Sequence, residues 1–595
     1  MTFQELSQYF QKLEQTPSRL AMTEILSDLF KKTNAEEIGE ICYLLQSRVA
    51  PLYEAVEFGM ADKLMIRVIA QACNTDEKEV TALFKKHGDL GIVAEEVVSH
   101  QLASLSRSGP SAVRQKEHKT VKEVFKILKQ VAESGGEGSQ ERKITLLSDL
   151  IISLDALSVR YIVRIPLDKL RLGFSDMTIL DAFSWMLVGD KSLHKQLEEA
   201  YNVRPDMAYI GKQLKEHGIK GITHVSAVVG APILASLCSR LPDAVEMIKK
   251  MGEVDVEPKY DGVRTQIHYR KSSAISHQLS DKWGVRAFSR NLENTTAMYP
   301  ELDHITSQID ADDVILDSEA VGYDPKTGNL IPFQETVTRK RKHDVGGVSK
   351  TVPLRFFVFD ILYKDGKDLM NTPLSKRRAI LEETIRKGDV LSISPHIVTS
   401  DVEELRAYHD EQIKKGLEGA VVKKWESTYD PGRKGYHWVK FKEEDGKTGK
   451  LTDTVDCLVM GYYKGEGKRA GFGIGAFLVG VKKGETFVTL TKIGTGVTDD
   501  LWKQLRKVFS RQSSAIRPKE YKEVEKALEP DVWIDPSIVV EIAADDITVS
   551  PIHAAGYALR FPRLIRIRDD KSPQQVTTVS EIKTMYENQS GIKSR

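Results

Sequence analysis

One short stretch of the sequence combines a lysine, a tight turn and further charges: Glu257-Pro258-Lys259-Tyr260-Asp261-Gly262-Val263-Arg264. Asp261-Gly262 predicts the turn, because glycine tolerates a positive φ and aspartate hydrogen-bonds to nearby backbone. Lys259 lies two residues before that turn and Arg264 two residues after it. Taken alone, such a stretch is most often a hairpin turn with solvated charges. The alternative is a lysine nucleophile beside cations that bind phosphate.

Later stretches carry charged residues that the same site could use. In chain order they are Phe288-Ser289-Arg290-Asn291, Asp317-Ser318-Glu319, Glu418-Gly419, Trp438-Val439-Lys440-Phe441-Lys442 and the segment from Arg560 to Lys571. Each has an ordinary structural explanation, since acids at strand ends are usually solvated and lysine-rich strands are usually edges that resist aggregation. Lys440 and Lys442 would share one face of a strand, because side chains alternate along it. Together, in this order, the stretches favour one site for phosphate chemistry.

The first 225 residues have the pattern of helices, which predicts an all-α domain. Two sets of apolar residues recur at the spacing of one helix face: Met22, Ile25, Leu26, Leu29 and Phe30, and then Val121, Val124, Phe125, Leu128 and Val131. Within this region, the stretch from Arg164 to Phe174 carries three cations in eight residues and includes Gly173. That stretch is either a solvated helix end with a glycine cap or a loop that contacts the phosphates of DNA.

After residue 225 the pattern changes twice. Short β-rich runs such as Val314-Ile315-Leu316 alternate with helical stretches, which predicts an α+β domain over residues 226–448 that begins with a connector. From residue 449 to 595, closely spaced strands with glycine-rich turns predict a small antiparallel barrel, and a loose tail from Asn588 onward. The sequence therefore predicts three domains.

Length and composition exclude several classes of protein. At 595 residues the chain is too long for one core, and 41% hydrophobic residues let each domain bury its own. The net charge of +1 argues against a polycationic tail but is compatible with a basic face for nucleic acid. The cysteines (Cys42, Cys73, Cys238 and Cys457) lack Cys-x-x-Cys spacing, which disfavours a zinc module or a disulfide framework. With no signal peptide and no apolar run of about 18 residues, we expect an intracellular protein of the cytoplasm or nucleoid that has no membrane partner.

In this order and at these intervals, the motifs resemble those of the ATP-dependent DNA ligases. The likeness is closest to the archaeal replicative and eukaryotic nuclear enzymes of the lysine nucleotidyltransferase superfamily, and it extends over nearly the whole chain. It implies a helical DNA-binding domain (1–225), an adenylation (nucleotidyltransferase) domain (226–448) and an OB-fold domain with a short tail (449–595). It also implies a ligase that uses ATP and Mg²⁺ and seals nicks in duplex DNA during replication, repair and recombination.

The resemblance also implies roles for single residues. Lys259 would be the nucleophile that becomes linked to AMP. The residues that would bind the nucleotide are Glu257, Arg264, Arg290, Glu319, Phe359, Lys440, Lys442, Arg566 and Lys571; Glu293, Arg560 and Asp569 fall in the same motifs. Glu319 and Glu418 would associate with the metal ion. The residues that would contact DNA are Arg171, Gly173, Arg290 and Phe333, the last by pressing into the minor groove beside the nick.

A lysine suits this reaction because a covalent intermediate splits one difficult step into easier ones. The amine would attack the α-phosphorus of ATP and expel pyrophosphate. AMP would then pass to the 5′-phosphate of the nick, and the 3′-hydroxyl would displace it. The amine must be neutral to attack, and nearby cations favour that form. The same cations would stabilise charge on the phosphoryl oxygens.

Several alternatives remain open. An RNA ligase or a messenger-RNA capping enzyme would share the lysine motif, although a capping enzyme has no evident use for the N-terminal helical region, and a non-catalytic DNA-binding protein could have kept the fold. Gln101-Leu102-Ala103-Ser104-Leu105 lies where some archaeal relatives bind a sliding clamp, but it lacks both aromatic residues of that motif. Clamp binding and the use of nucleotides other than ATP therefore stay open. We expect a monomer.

Overall fold

The computed structural model describes residues 1–107, 118–241, 243–271, 284–331, 352–432, 434–441, 454–465, 473–494, 497, 499–514, 516–544 and 546–589. The chain divides into two compact units, Met1–Phe441 and Lys442–Arg595. None of the helices within these residues is both long enough and apolar enough to cross a membrane.

The first unit begins with a helical region, as the sequence predicts. Its helices are α1 (Phe3–Glu14), α2 (Arg19–Lys32), α3 (Ala35–Leu45), α4 (Asp62–Ala72), α5 (Glu77–His87), α6 (Leu90–Arg107), α7 (Val121–Glu133), α8 (Ser139–Ser153), α9 (Ala156–Arg164), α10 (Asp176–Val188), α11 (His194–Val203) and α12 (Met207–His217), with 3₁₀ turns at Leu52–Glu54 and Gly218–Ile222. Their ends follow local rules: Thr2 and Glu5 form a capping box at α1, and Thr120 and Glu123 form another at α7. The predicted face of α2 is buried except for the partly exposed Ile25.

The α+β part of the first unit contains two sheets. Its elements are β1 (Leu237–Arg240), α13 (Ala244–Met251), β2 (Val254–Pro258), β3 (Val263–Arg270), β4 (Val285–Ser289), β5 (Asp313–Gly322), β6 (Leu354–Lys364), β7 (Lys367–Asp368), α14 (Leu374–Thr384), β8 (Leu391–Ile393), β9 (Ile397–Thr399), α15 (Val402–Lys414), β10 (Ala420–Lys424) and β11 (Lys434–Phe441), with 3₁₀ turns at Thr296–Met298 and Pro300–Gln308. One sheet has the order β1-β11-β10-β2-β9. The other has the order β4-β3-β5-β6-β7, with β8 pairing β6 in parallel.

The turn between β2 and β3 connects the two sheets. β2 pairs β10 in the first sheet, while β3 pairs β5 in the second. Gly262 in this turn approaches the backbone closely, because a Cβ there would lie 2.5 Å from the carbonyl oxygen of Ala320. Gly419, just before β10, has a φ of +117°, and a Cβ there would lie 2.3 Å from the carbonyl oxygen of Phe441. Only glycine fits either position, so both turns are fixed by sequence.

Over its described residues, the second unit is an antiparallel β domain with two helices. Its elements are β12 (Val455–Tyr463), β13 (Ala476–Lys483), β14 (Thr486–Ile493), α16 (Asp499–Phe509), β15 (Ser513–Ser514), β16 (Val532–Ile534), β17 (Val539–Ala543), β18 (Asp546–Val549), β19 (Tyr557–Arg560), β20 (Arg563–Ile567) and α17 (Val579–Gln589), with 3₁₀ turns at Lys526–Leu528 and Pro573–Gln575. β12 is central, since it pairs β13, β16 and β17, and β20 continues the sheet from β17. Trp502 of α16 is buried in the core of this sheet.

The predicted β-rich C-terminal domain is therefore confirmed in its coarse form. Over the residues that the structure describes, however, the large sheet stays open, because its recorded pairings do not join β14 to β15 or β20. β18 and β19 form a separate two-stranded sheet. The residues 442–453, in which the predicted boundary at 448 falls, lie outside the described part of the chain.

Candidate active site

Lys259 is joined to Glu418 by backbone and by side chain. The amide of Lys259 donates to the carbonyl oxygen of Gly419 (2.9 Å), and the amide of Glu418 donates to the carbonyl oxygen of Lys259 (3.2 Å). Nζ of Lys259 also donates to Oε2 of Glu418. The side chains are 22% and 23% exposed, so the amine is reachable from solvent. A lysine and a carboxylate that are far apart in sequence are thus held together at the adjoining ends of β2 and β10, which are neighbouring strands of one sheet.

Arg264 is held rigidly by a carboxylate on the neighbouring strand. Its Nε donates to Oδ1 of Asp317 (3.0 Å) and its Nη2 to Oδ2 (2.6 Å), while Nη1 donates to the carbonyl oxygen of Ser236 (2.6 Å). The hydroxyl of Tyr429 also donates to Oδ2 of Asp317 (2.9 Å). A bidentate arginine–carboxylate pair fixes direction as well as charge. Arg264 is therefore a cation that the fold holds in a fixed position close to the Asp261-Gly262 turn.

Glu319 lies opposite Arg264 in the β3–β5 register. Its Cγ is 2.9 Å from the position that a Cβ of Gly262 would take, so the carboxylate lies beside the Asp261-Gly262 turn. Burial raises the pKa of Glu319 to about 8, and the positive charges of Arg264 and Lys259 act in the opposite direction. A carboxylate with a raised pKa, next to a reachable amine, is typical of a functional site.

On the neighbouring strands, two aromatic rings and a buried carboxylate form an aromatic pocket around Nζ of Lys423. Phe359 of β6 meets Trp438 of β11 edge to face, with ring centroids 5.9 Å apart. Nζ of Lys423 lies 4.8 Å from the Phe359 ring and 4.7 Å from the Trp438 ring. It also donates to Oε2 of Glu257 (2.8 Å). Oε1 of Glu257 accepts from Nη1 of Arg378 (3.1 Å). Burial raises the pKa of Glu257, against the charges of Lys423 and Arg378.

Glu319 and Glu418 are the carboxylates that the sequence predicts for Mg²⁺. In the part of the chain that the structure describes, no three histidine, cysteine, aspartate or glutamate side chains cluster as a metal site. Mg²⁺ is usually held by one or two carboxylates together with phosphate and water oxygens. Both carboxylates lie beside Lys259 or its turn. The residues present therefore fit Mg²⁺ that arrives with a phosphate substrate, and they do not fit a site for zinc.

Arg290 lies apart from this cluster, in the turn after β4. The turn, with Asn291 and Leu292, lines a cavity of about 370 Å³ together with Arg48 and residues of the helical region. The guanidinium of Arg290 is exposed. The structure thus places Arg290 at a cleft between the helical and α+β parts of the first unit.

The loop after α9 contains both structural and exposed cations. Arg164 is buried and pairs with Asp89 (2.9 Å) and Glu14 (3.0 Å), so it is part of the core. Arg171 is half-exposed, has a φ of +58° and pairs with Asp89 (3.1 Å). With Gly173, it lines a second cavity of about 320 Å³. Arg171 and Gly173 therefore lie at the surface of the helical region, whereas Arg164 does not.

Some of the remaining predicted residues lie outside the part of the chain that the structure describes. Lys440 lies on β11 opposite Val421 of β10 and Arg240 of β1. Lys442 and Phe333 lie outside the described residues, and so does part of the glycine-rich loop after β12. Gln101 lies on α6, but the side chains of the remaining residues to Leu105 are outside the described set.

In the second unit, the predicted cations are paired with carboxylates of the same unit. Nε of Arg566 donates to Oε2 of Glu541 (2.7 Å), and Nζ of Lys571 donates to Oδ2 of Asp456 (2.5 Å). Arg568, which the sequence analysis did not single out, donates to Oδ1 of Asp456 (3.0 Å). The last motif is therefore an ion-pair network on the surface of the β domain.

Sequence reasoning gave no role to several residues that support the site. Asp317 was noted as a carboxylate beside Glu319, and its role could have been found, because alternation along β5 puts it on the same side as Glu319. Tyr429, Lys423, Arg378 and Arg568 gave weaker signals, since a tyrosine, a strand-end lysine or an arginine on a helix is common in any domain. Arg378 contacts Glu257 from 121 residues away, and only the folded structure shows that contact.

Comparison with known proteins identifies the family of the chain. Three family profiles match the chain: "DNA ligase N terminus" over residues 2–184, "ATP dependent DNA ligase domain" over 232–442 and "ATP dependent DNA ligase C terminal region" over 470–571. A protein named "Probable DNA ligase" from Dictyoglomus thermophilum is 43% identical over 600 residues, which cover 99% of this chain and 98% of that protein. A "DNA ligase" from Saccharolobus solfataricus is 37% identical over 605 residues, with 99% and 98% covered.

The overall fold also has a counterpart among solved structures. The structure named Pmar-Lig_PreS3 superposes with a TM-score of 0.51 at 16% identity, and the match covers 94% of this chain and 99% of that one. At this identity the likeness concerns the fold alone.

Proposed function

The chain belongs to the ATP-dependent DNA ligases, and on that premise we propose that Lys259 is the residue that carries AMP during nick sealing. The observation that carries this proposal is the joining of Lys259 to Glu418 through one backbone hydrogen bond and one side-chain pair, with a second backbone hydrogen bond to Gly419, beside Glu319 and Arg264. A reachable amine with carboxylates and a fixed cation around it is what transfer of a nucleotidyl group requires.

In the first step, the amine of Lys259 attacks the α-phosphorus of ATP. An N–P bond forms, the bond from the α-phosphorus to the bridging oxygen breaks, and pyrophosphate leaves with that electron pair. In the resting structure Nζ donates to Oε2 of Glu418. Attack needs a free lone pair on nitrogen, so one proton must leave Nζ, and Oε2 is the adjacent acceptor for it. Arg264 stabilises the phosphoryl oxygens, because Asp317 and Tyr429 hold its guanidinium in place.

Two further steps complete the seal. AMP passes from Lys259 to the 5′-phosphate of the nick, which breaks the N–P bond and forms a pyrophosphate linkage. The 3′-hydroxyl then attacks the nick phosphate, and AMP leaves as the phosphodiester forms. Lys259 acts in the first two steps, so its removal should spare the third.

The adenine would lie between Phe359 and the other apolar walls of the pocket. Phe359 is partly exposed and meets Trp438 edge to face, and stacking on its ring is the role that we assign to it. Glu257 would accept a hydrogen bond from the amino group of the base. When bound, Mg²⁺ would be held by Glu319 and Glu418 and would neutralise charge on the phosphates of the nucleotide. Lys440 and Lys442 would contact the α-phosphate.

We also propose roles for the parts that bind DNA and pyrophosphate. Arg171, Gly173, Arg290 and Phe333 would contact the nicked duplex without reading its sequence, so binding should weaken steeply with salt. The three-domain division at 1–225, 226–448 and 449–595, with a C-terminal OB-fold, is part of this proposal. Arg566 and Lys571 would bind the leaving pyrophosphate in the first step.

Incubation with α-labelled ATP and Mg²⁺ tests the proposal. We expect a label on the protein that is stable to alkali, absent in Lys259→Ala and discharged by nicked duplex DNA. Asp261→Asn, next in the same turn, controls for loss of folding when circular dichroism is compared. A protein that takes no label, or whose label persists in Lys259→Ala, would contradict the role of Lys259. Discharge by nicked RNA in preference to DNA would contradict the proposed substrate.

A further inference from the structure

We propose that Arg378, which lies outside every motif, is a positioning residue that sets the choice of purine through its contact with Glu257. This inference rests on the proposed function, because it takes Glu257 to face the base of the bound nucleotide. It concerns which nucleotide the lysine accepts and not whether the lysine reacts.

Arg378 is a buried side chain whose hydrogen bonds connect three parts of the first unit. The side chain extends from α14 and is 5% exposed. Nη1 donates to Oε1 of Glu257 on β2 (3.1 Å), Nη2 to the carbonyl oxygen of Ser394 between β8 and β9 (2.5 Å), and Nε to Oε1 of Glu382 on α14 (2.9 Å). All three nitrogens of the guanidinium are used, so its position leaves little freedom to the carboxylate that it holds.

Glu257 is held as an acceptor by charged donors on both oxygens. Arg378 binds Oε1, and Nζ of Lys423 binds Oε2 at 2.8 Å. The residue is 2% exposed, so water cannot readily replace either donor. An ionised carboxylate accepts about four hydrogen bonds and donates none. Two of these positions are taken, and the proposal assigns one of the remaining positions to the base of the bound nucleotide.

An acceptor at this position distinguishes purines by the group at carbon 6. Adenine carries an amino group there, which donates, whereas guanine and hypoxanthine carry an oxygen, which accepts. A carboxylate attracts the first and repels the second. If Glu257 were protonated, its hydroxyl could donate to that oxygen, and discrimination would fall. The selectivity of the site therefore depends on the charge and the direction of Glu257.

Arg378 acts on that charge more selectively than Lys423 does. Lys423 also donates to the carbonyl oxygen of Phe359 (3.1 Å) and lies over the rings of the pocket, so its removal would disturb the stacking surface too. Arg378 donates to Glu257, Glu382 and Ser394. Among the proposed nucleotide-binding residues that the structure describes, Glu257 is the one to which Arg378 donates. Without Arg378, Glu257 would be left with one cation beside the negative charge of Asp255 on the same strand. The protonated fraction of Glu257 would therefore rise.

The test compares self-labelling by ATP and by ITP, which differ at carbon 6 (amino group against oxygen) and at the adjacent N1, which carries a hydrogen only in ITP. For Arg378→Met and Arg378→Gln, the ratio of kcat/KM for ATP to that for ITP should fall by about 10- to 100-fold, the range for loss of one hydrogen bond to a charged group. The change should lie mainly in KM. Arg378→Lys keeps the charge and should retain most of the ratio. Lys376→Met, on the exposed face of the same helix, is the matched control and should match the wild type.

The outcomes separate this inference from the proposed function. If the unaltered protein takes no label from ATP, the proposed function fails. If it labels but treats ATP and ITP alike, or if folded Arg378→Met and Arg378→Gln lose both activities in equal proportion, only the role of Arg378 is refuted. Arg378→Gln decides the matter if Arg378→Met does not fold, since glutamine keeps polar atoms near Ser394 and Glu382 while removing the charge.

Discussion

His268 should make the first unit less stable in mild acid. It lies on β3 and is fully buried. Nδ1 accepts from the amide of Gly230 (2.9 Å), and the other ring nitrogen faces Oε1 of Gln266 at 2.9 Å, so the neutral ring protonated at Nε2 satisfies both contacts. Burial, with the nearby charge of Arg286, lowers the pKa of His268 from its ordinary value of 6.5 to about 3. A second proton would need a donor-to-donor contact with Gly230.

The sign and size of the effect follow from linkage. Below pH 6.5 the unfolded chain binds a proton at His268 while the folded chain does not until about pH 3. Stability is therefore full above pH 6.5 and falls as the pH drops from 6.5 towards 3. At 1.36 kcal/mol per unit of pKa, the loss between pH 7 and pH 5 is about 2 kcal/mol, which corresponds to roughly a 25-fold change in an opening equilibrium.

Hydrogen–deuterium exchange of the peptide that spans β3 measures this opening locally. After correction for the intrinsic exchange rate, the ratio of protection at pH 7 to protection at pH 5 should be roughly 25-fold larger in the unaltered protein than in a variant without the histidine, because groups such as Glu319 contribute equally to both proteins. In His268→Asn, whose amide oxygen can accept from Gly230, protection should be lower at pH 7 but should fall less between the two pH values. If the variant loses as much protection as the unaltered protein, another group causes the effect and the reasoning about His268 is wrong.

Three other changes have expected outcomes. Lys259→Ala should still seal a nick that is already adenylylated, because Lys259 acts before that point; a loss of this activity equal to the loss from ATP would count against its role. Tyr429→Phe removes the hydroxyl that bonds Asp317 and should lower the unfolding free energy of the first unit by about 2 kcal/mol in urea, and an unchanged midpoint would show that the bond adds no stability. Asp456→Asn weakens the ion pairs that hold Lys571 and Arg568. The labelled enzyme should then be discharged by pyrophosphate at about 2- to 10-fold lower concentration, because both cations are easier to recruit. An unchanged or higher concentration would mean that Asp456 does not compete with pyrophosphate.

The sequence was informative where the physical signal is local. Apolar periodicity identified helix α2, and Gly262 marked a turn that no other residue fits. The order of the motifs indicated the family, which the comparisons confirmed. Strand β1 was missed, because Leu237-Cys238-Ser239-Arg240 has too little apolar character to stand out.

The sequence was uninformative about which charges meet. Arg164 and Arg171 look alike in the sequence, yet one is buried against Asp89 and Glu14 and the other is half-exposed. The partner of Lys571 is Asp456, 115 residues earlier. Such pairs depend on strand register and on how sheets pack, and neither leaves a trace in local residue patterns. Barrel closure in the second unit is unpredictable for the same reason, since it depends on pairing between the first and last strands of a sheet.

The joining of Lys259 to Glu418 also has a consequence for synthesis of the protein. The two residues are separated by 159 positions. At about 5–20 residues per second, roughly 8–30 s pass between their emergence from the ribosome. During that time β2 lacks its neighbour β10, and the amine has neither its carboxylate nor its backbone partners. In an incomplete chain, Lys259 therefore lacks the residues that would activate it. We expect such a chain not to form the bond to AMP before the rest of the site has been synthesised.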